Sequence, residues 1–246
     1  MSAPASAVRK ADDRRPLPTT AVVLELARLA WTRVTRSSAL WVVAAMGALP
    51  AVLALVMAAK STDSDAAIWR VLFETALPLM TVVPPVLVAS AVADELEDKT
   101  SAYLWSRALP RWSVVVGKLL VLAPVSALLV GGAGLLAALA ARLPPAIYVD
   151  GVIGMAAGAA TAATIAAMIA TLVPRHAVAM TMGWLVIVDW PLHFLTFGVR
   201  HISSTFGAGA IAGLAPEASA LSGALTLVVL AAIAVAVACW RIGHVE

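Results

Sequence analysis

One cysteine in 246 residues leaves no way to close a disulfide within the chain. It is Cys239, set in an apolar run where a small buried hydrophobe is its ordinary role. Charge is equally scarce: Asp, Glu, Lys and Arg make up 13% of the sequence, about half the share of a soluble domain. Hydrophobic residues make up 62%, and the mean hydropathy is +0.95. A chain of this length cannot hide so much apolar surface in one water-facing globule, whose exterior must stay polar. The composition implies an integral membrane protein. The net charge of +3 is too small to point to nucleic acid.

Catalytic signatures are missing as well. HExxH, GxSxG, CxxC and the Gly-rich dinucleotide fingerprint do not occur. A Walker A loop needs GxxxxGK[ST], but Gly117-Lys118 is followed by Leu119 and has Trp112 where the first glycine belongs. The four histidines, His176, His193, His201 and His244, are scattered, and no metal site is read from them. The expectation is a chain that is not an enzyme and binds no cofactor of its own.

What the sequence does hold is six apolar runs of membrane length: residues 40–59, 71–93, 113–137, 151–173, 177–197 and 221–240. An even number of spans puts both ends of the chain on one side, and the distribution of Lys and Arg chooses that side. With the amino terminus inside, thirteen of the 17 basic residues are internal, and only Lys60, Arg70, Arg142 and Arg200 are external. Both termini are therefore expected in the cytoplasm. Trp41, Trp69, Trp112 and Trp240 fall at span ends, as in an interfacial aromatic belt. Residues 1–20 carry charges with Pro4, Pro16 and Pro18 rather than the early apolar stretch of a secretory signal, and read as a disordered cytoplasmic tail. Residues 38–246 would form the membrane domain.

Between tail and first span, residues 21–37 have helical periodicity. Val23, Leu26, Ala27, Ala30 and Val34 share one face, and Glu25, Arg28, Thr32 and Arg36 the other. A basic amphipathic helix here suits the inner membrane surface; a plain extension of the first span is the alternative. Between spans five and six, a Gly- and Ala-rich segment is expected to form a re-entrant or surface-lying pair of short helices.

Polar residues within the apolar runs are few. Asp189 and His193, in "DWPLH", are either a pathway or helix-break site facing a cavity or partner, or groups in the outer headgroup region. Glu74 is a further pathway candidate that could instead snorkel. Pro78, Pro84 and Pro85 predict a bend in span two. Gly154 and Gly158 form GxxxG, a surface for close helix packing within the chain or between chains.

The densest charge lies between spans two and three, in "DELEDKTSAYLWSRALPRWSVVVGK". Asp94, Glu95, Glu97 and Asp98 can complement the amino end of a short helix that Pro110 would stop. Such a helix would offer a docking surface to another protein; the alternative is a solvated loop whose basic residues anchor topology. This run resembles the ABC-2 type transporter permeases: an acidic pair, a Lys/Gly-Thr/Ser step, a leucine- or tyrosine-bearing helix, Ser-Arg-x-x-Pro-Arg, then Gly-Lys at the next span. The matching residues are Glu95, Glu97, Lys99, Thr100, Leu104, Ser106, Arg107, Pro110, Arg111, Gly117 and Lys118, with Lys99 where many members have glycine and Trp105 as a further departure. The close match covers about a tenth of the chain; the six-span layout agrees over nearly all the rest.

The resemblance implies an all-α membrane protein whose 94–112 segment, through Glu95, Glu97, Asp98, Thr100, Leu104, Trp105, Arg107, Pro110 and Arg111, is a coupling helix seated on a separate ATP-binding subunit. That partner would hold ATP and Mg. It also implies a dimer with a second permease copy or paralogue, export across a bacterial inner membrane, and outer gate helices ending near Pro216 and Glu217. A membrane scaffold or sensor that recruits a cytoplasmic partner through the same loop is the competing reading, and a membrane-embedded enzyme or cytochrome using Asp189, His193 and His201 is a third.

Overall fold

The computed structural model describes residues 19–60, 64–97, 112–195, 198–215 and 217–244, and among these every regular element is a helix. Six helical stretches are long and apolar enough to cross a membrane: Ser38–Ala59, Asp65–Asp94, Trp112–Ala140, Pro145–Leu172, Pro174–Phe194 and Ala220–Gly243. This is the build of a multi-pass membrane protein.

Helix α1 (Thr19–Thr35) precedes the first span and is separate from it. The chain breaks at 36–37, and Ser37 starts α2 (Ser38–Gly47) by accepting the Ala39 N–H on its side chain at 3.1 Å. On α1, Val22, Ala27 and Val34 are buried, whereas Glu25, Arg28 and Thr32, with Arg36 just beyond the helix, are exposed. The polar face is as expected. The apolar face is rotated slightly, with Val22 deeper than Val23, because α1 packs on one neighbour rather than on a flat boundary. That neighbour is α6 (Trp112–Ala140). A Cβ at Gly117 of α6 would lie 2.9 Å from the Leu26 Cβ and 3.1 Å from the Val23 carbonyl, so the two backbones touch only because this residue has no side chain.

The first span is divided between α2 and α3 (Leu49–Lys60), where Pro50 has no N–H to continue the ladder. The second runs through α4 (Asp65–Pro84), a π turn at Pro85–Ala89, and α5 (Ser90–Glu97). The helix ladder changes register to the π turn at Pro84-Pro85, where two successive donors are missing; Pro78 stays inside α4. After α6, Leu143 N–H reaches the Ala138 carbonyl and Arg142 takes φ 57°, a helix stop more often made with glycine. Helix α7 (Pro145–Leu172) follows, then the fifth span through α8 (Ala177–Gly183), a π turn at Trp184–Asp189 and α9 (Trp190–Phe194). A 3-10 turn (Gly198–Ile202) and α10 (Ser204–Ile211) lead to α11 (Ala220–Gly243).

Burial sorts these helices into centre and periphery. In the second and fourth spans 67% of the most apolar window is buried inside the protein, against 17% in the first and sixth. The fourth, α7, packs on α6, α11, α4 and α10. Its buried face is mostly Gly, Ala and Thr, small residues that let helix backbones come close in lipid. Thr161 Oγ1 adds a bond to the Leu227 carbonyl of α11 at 3.4 Å.

Trp41, Trp112 and Trp240 are exposed near span ends, but Trp69 is not part of such a belt. It is 2% exposed. Its indole lies against Gly151 of α7, with the Phe73 and Tyr148 rings at 6.2 and 6.3 Å. The glycine opposite makes a slot that composition at a span end does not reveal.

Candidate functional site

The segment between spans five and six folds into a pair of short helical elements, and the second is inserted deep among its neighbours. Ser204 through Ala210 of α10 are all buried. Glycine makes the insertion possible: a Cβ at Gly154 would collide with the Ala208 carbonyl, and one at Gly158 would meet the Met80 methyl and the Ala208 side chain. The GxxxG pair therefore faces α10 and α4 inside this chain. At its far end α10 stops through Gly213, at φ +68°, and the Leu214 N–H bonds to the Gly209 carbonyl at 3.0 Å.

A buried helix end exposes four N–H groups without intrahelical partners, and in α10 all four are satisfied. Ser203 N–H donates to the Arg200 carbonyl at 3.0 Å, and Phe206 N–H to Ser203 Oγ at 3.1 Å. The other two go to Asp189, from Ser204 N–H to Oδ1 at 2.7 Å and from Thr205 N–H to Oδ2 at 3.1 Å. Oδ2 also accepts the Ser204 hydroxyl at 3.1 Å and the Thr205 hydroxyl at 2.6 Å, and Ser203 Oγ donates to the Asp189 backbone carbonyl at 3.0 Å. Asp189 is 3% exposed, at the end of the π turn in span five. Its negative charge meets the positive end of the α10 dipole, and charge-assisted bonds to N–H and hydroxyl groups replace the water it has lost. The geometry is that of a carboxylate capping the start of a neighbouring helix.

His193 lies one turn after Asp189 and is half-buried. Its ring meets Phe194 at 5.0 Å and Phe206 at 6.2 Å, and its Nδ1 is buried without a hydrogen-bond partner among the described residues. Arg200 stacks over Phe206 at 5.0 Å and pairs with Glu217 at 2.5 Å. His201 meets Phe206 edge-on at 5.1 Å. Phe206 is thus gathered by three polar residues around the start of α10. Glu74 is exposed on α4, within electrostatic reach of His193. Pro216 lies outside the described residues. Among the described residues no three His, Cys, Asp or Glu side chains come together as a metal site.

The other site read from the sequence is described only at its borders. The backbone of Glu95 and Glu97 belongs to α5, while Asp98, Thr100, Leu104, Trp105, Arg107, Pro110 and Arg111 lie outside the described residues. The borders are tied together: Lys118 of α6, 4% exposed, donates from its ammonium to the Ala91 carbonyl of α5. Two features escaped sequence reasoning. Lys118 reads as a topology anchor and is instead a buried tie. The run Ser203-Ser204-Thr205, ahead of a Gly- and Ala-rich helix, is a capping signature that could have been paired with the lone acid Asp189.

No protein-family model matches the chain, and no curated protein is detectably similar to it in sequence.

Proposed function

We propose that this chain is the membrane-spanning permease subunit of an ATP-driven ABC-2 type exporter, working as a dimer in a bacterial inner membrane. The observation that carries the reading is the run from Glu95 to Lys118, with its acidic pair, Ser-Arg-x-x-Pro-Arg and Gly-Lys, on a chain with six helices of membrane length. Three structural features support it. A separate helix α1 precedes the first span and packs on α6. The Gly-Lys pair has a physical role, since Gly117 admits α1 and Lys118 ties the two borders of the charged segment. A buried short helix is braced before the last span.

In this reading the partner subunit holds ATP and Mg, and its closure pushes on the segment 94–112. The long spans α6 and α7 carry the movement to the opposite end, where α10 gates the exit. The test is co-purification from native membranes in mild detergent, comparing the wild type with the Glu95→Lys, Glu97→Lys double variant. An ATPase recovered with the wild type and lost with the variant is the expected result. Recovery of no ATPase with the wild type would overturn the reading in favour of a membrane scaffold.

A further inference from the structure

A cavity of about 450 Å³ opens where α1 and the start of α2 face the π turn, α5 and α6. It is within the size range of small-molecule sites, roughly 300–1,000 Å³. Its floor is apolar, with Leu87 and Leu122 fully buried and Leu26 and Val86 partly so. Among the described residues its rim is charged, with Arg33, Arg36 and Lys118 against the carboxylate of Asp94.

The polar groups of the rim are unequally available. Thr32 Oγ1 donates to the Leu29 carbonyl at 2.9 Å, and the Ser90 hydroxyl to the Val86 carbonyl. Lys118 is turned to the Ala91 carbonyl. Arg33 and Arg36 are exposed and have neither a hydrogen-bond nor an ion-pair partner among the described residues. Their planar guanidiniums offer paired donors suited to phosphate oxygens. A free phosphate would use those donors but leave the apolar floor against water. An amphiphile with an anionic head satisfies both.

We propose that this cavity binds an anionic phospholipid, its phosphate held between Arg33 and Arg36 and its acyl chains laid over Leu29 and the Leu87–Leu122 floor. Helix α1 is then a lipid-clasping element as well as a brace for α6. The proposal stands whether or not the chain transports anything.

The test uses the full chain, delipidated in detergent and offered phosphatidylglycerol, phosphatidylcholine of the same acyl chains, or inorganic phosphate, with bound lipid counted by native mass spectrometry. The wild type should retain phosphatidylglycerol about tenfold more tightly than phosphatidylcholine. The Arg33→Gln, Arg36→Gln double variant should lose that preference. So should Ala30→Trp, which fills the cavity without changing charge. Arg28→Gln, on the same helix but off the cavity, should keep it. A wild type without preference would overturn the proposal, as would an Arg28→Gln variant as weak as the double variant. Displacement of the lipid by millimolar phosphate would overturn it too, by reducing the site to a free-anion site. Because the Arg33/Arg36 and Ala30 changes act through different chemistry, one of them folding correctly is enough to decide.

Discussion

Asp189 and Lys118 are both buried charges in a chain with few charges to place, 3% and 4% exposed, and they lie toward opposite ends of the bundle. Asp189 gathers four donors from the start of α10. Lys118 reaches a backbone carbonyl of the second span, beside a cavity whose rim holds two exposed arginines. One end is closed on itself: every N–H at the start of α10 has a partner, and the helix is buried from Ser204 to Ala210. The other is edged by Arg33 and Arg36, which are exposed and have no partner among the described residues, and by Asp94. The two ends are thus held differently, one by a satisfied helix cap and the other by a lysine tie beside a cavity, and they are joined by long spans.

The largest effect should come from Asp189→Ala. It strands two N–H groups and two hydroxyls in a buried site, and stability should fall by about 3–5 kcal/mol in detergent unfolding. Asp189→Asn keeps one acceptor oxygen and should lose about half as much. Lys118→Met, which removes the bond to the Ala91 carbonyl and keeps the packing of the stem, should lose only about 1–2 kcal/mol. A Lys118→Met variant as unstable as Asp189→Ala would break the comparison, because it would make the second end as closed as the first.

Intermediate effects should separate the ends spatially. Gly154→Val drives a side chain into the Ala208 carbonyl, and Gly117→Val drives one into Leu26 and Val23. Each should destabilise by about 1–3 kcal/mol. Hydrogen exchange should rise in α10 for the first and in α1 for the second, each without the other. If both rose in both variants, the ends would be one cooperative unit rather than two.

The six spans were legible because twenty apolar residues in a row have one physical explanation. Their helices were less legible: α4 and α7 begin six residues before the apolar runs, at Asp65 and Pro145. Hydropathy marks the hydrocarbon crossing, while backbone hydrogen bonding carries a helix on into the polar boundary. The π turn at Trp184–Asp189 left no mark in composition. Nor did the burial of Trp69, which depends on Gly151 some eighty residues away. Asp189 was visible as an anomaly but not as a cap, because a cap is a relation between two segments and the sequence shows them fourteen residues apart. The GxxxG of α7 reads as a close-packing surface, yet the face it packs against is set by the tertiary fold alone.

The smallest expected effect tests how far the closed end extends. Arg200 is 18% exposed, stacks on Phe206 and pairs with Glu217, whose side chain is 68% exposed. An ion pair with one partner in solvent contributes at most about 1 kcal/mol and weakens with salt. Stacking of the guanidinium on the ring adds about 0.5–1 kcal/mol that Glu217 does not share. Glu217→Ala should therefore destabilise by a few tenths of a kcal/mol, an effect lost in high salt. Arg200→Ala should cost about 1 kcal/mol, largely retained in salt. Equal losses for the two variants would place the closure of this end in the ion pair; the unequal losses expected here place it in the packing around Phe206 and in the Asp189 cap behind it.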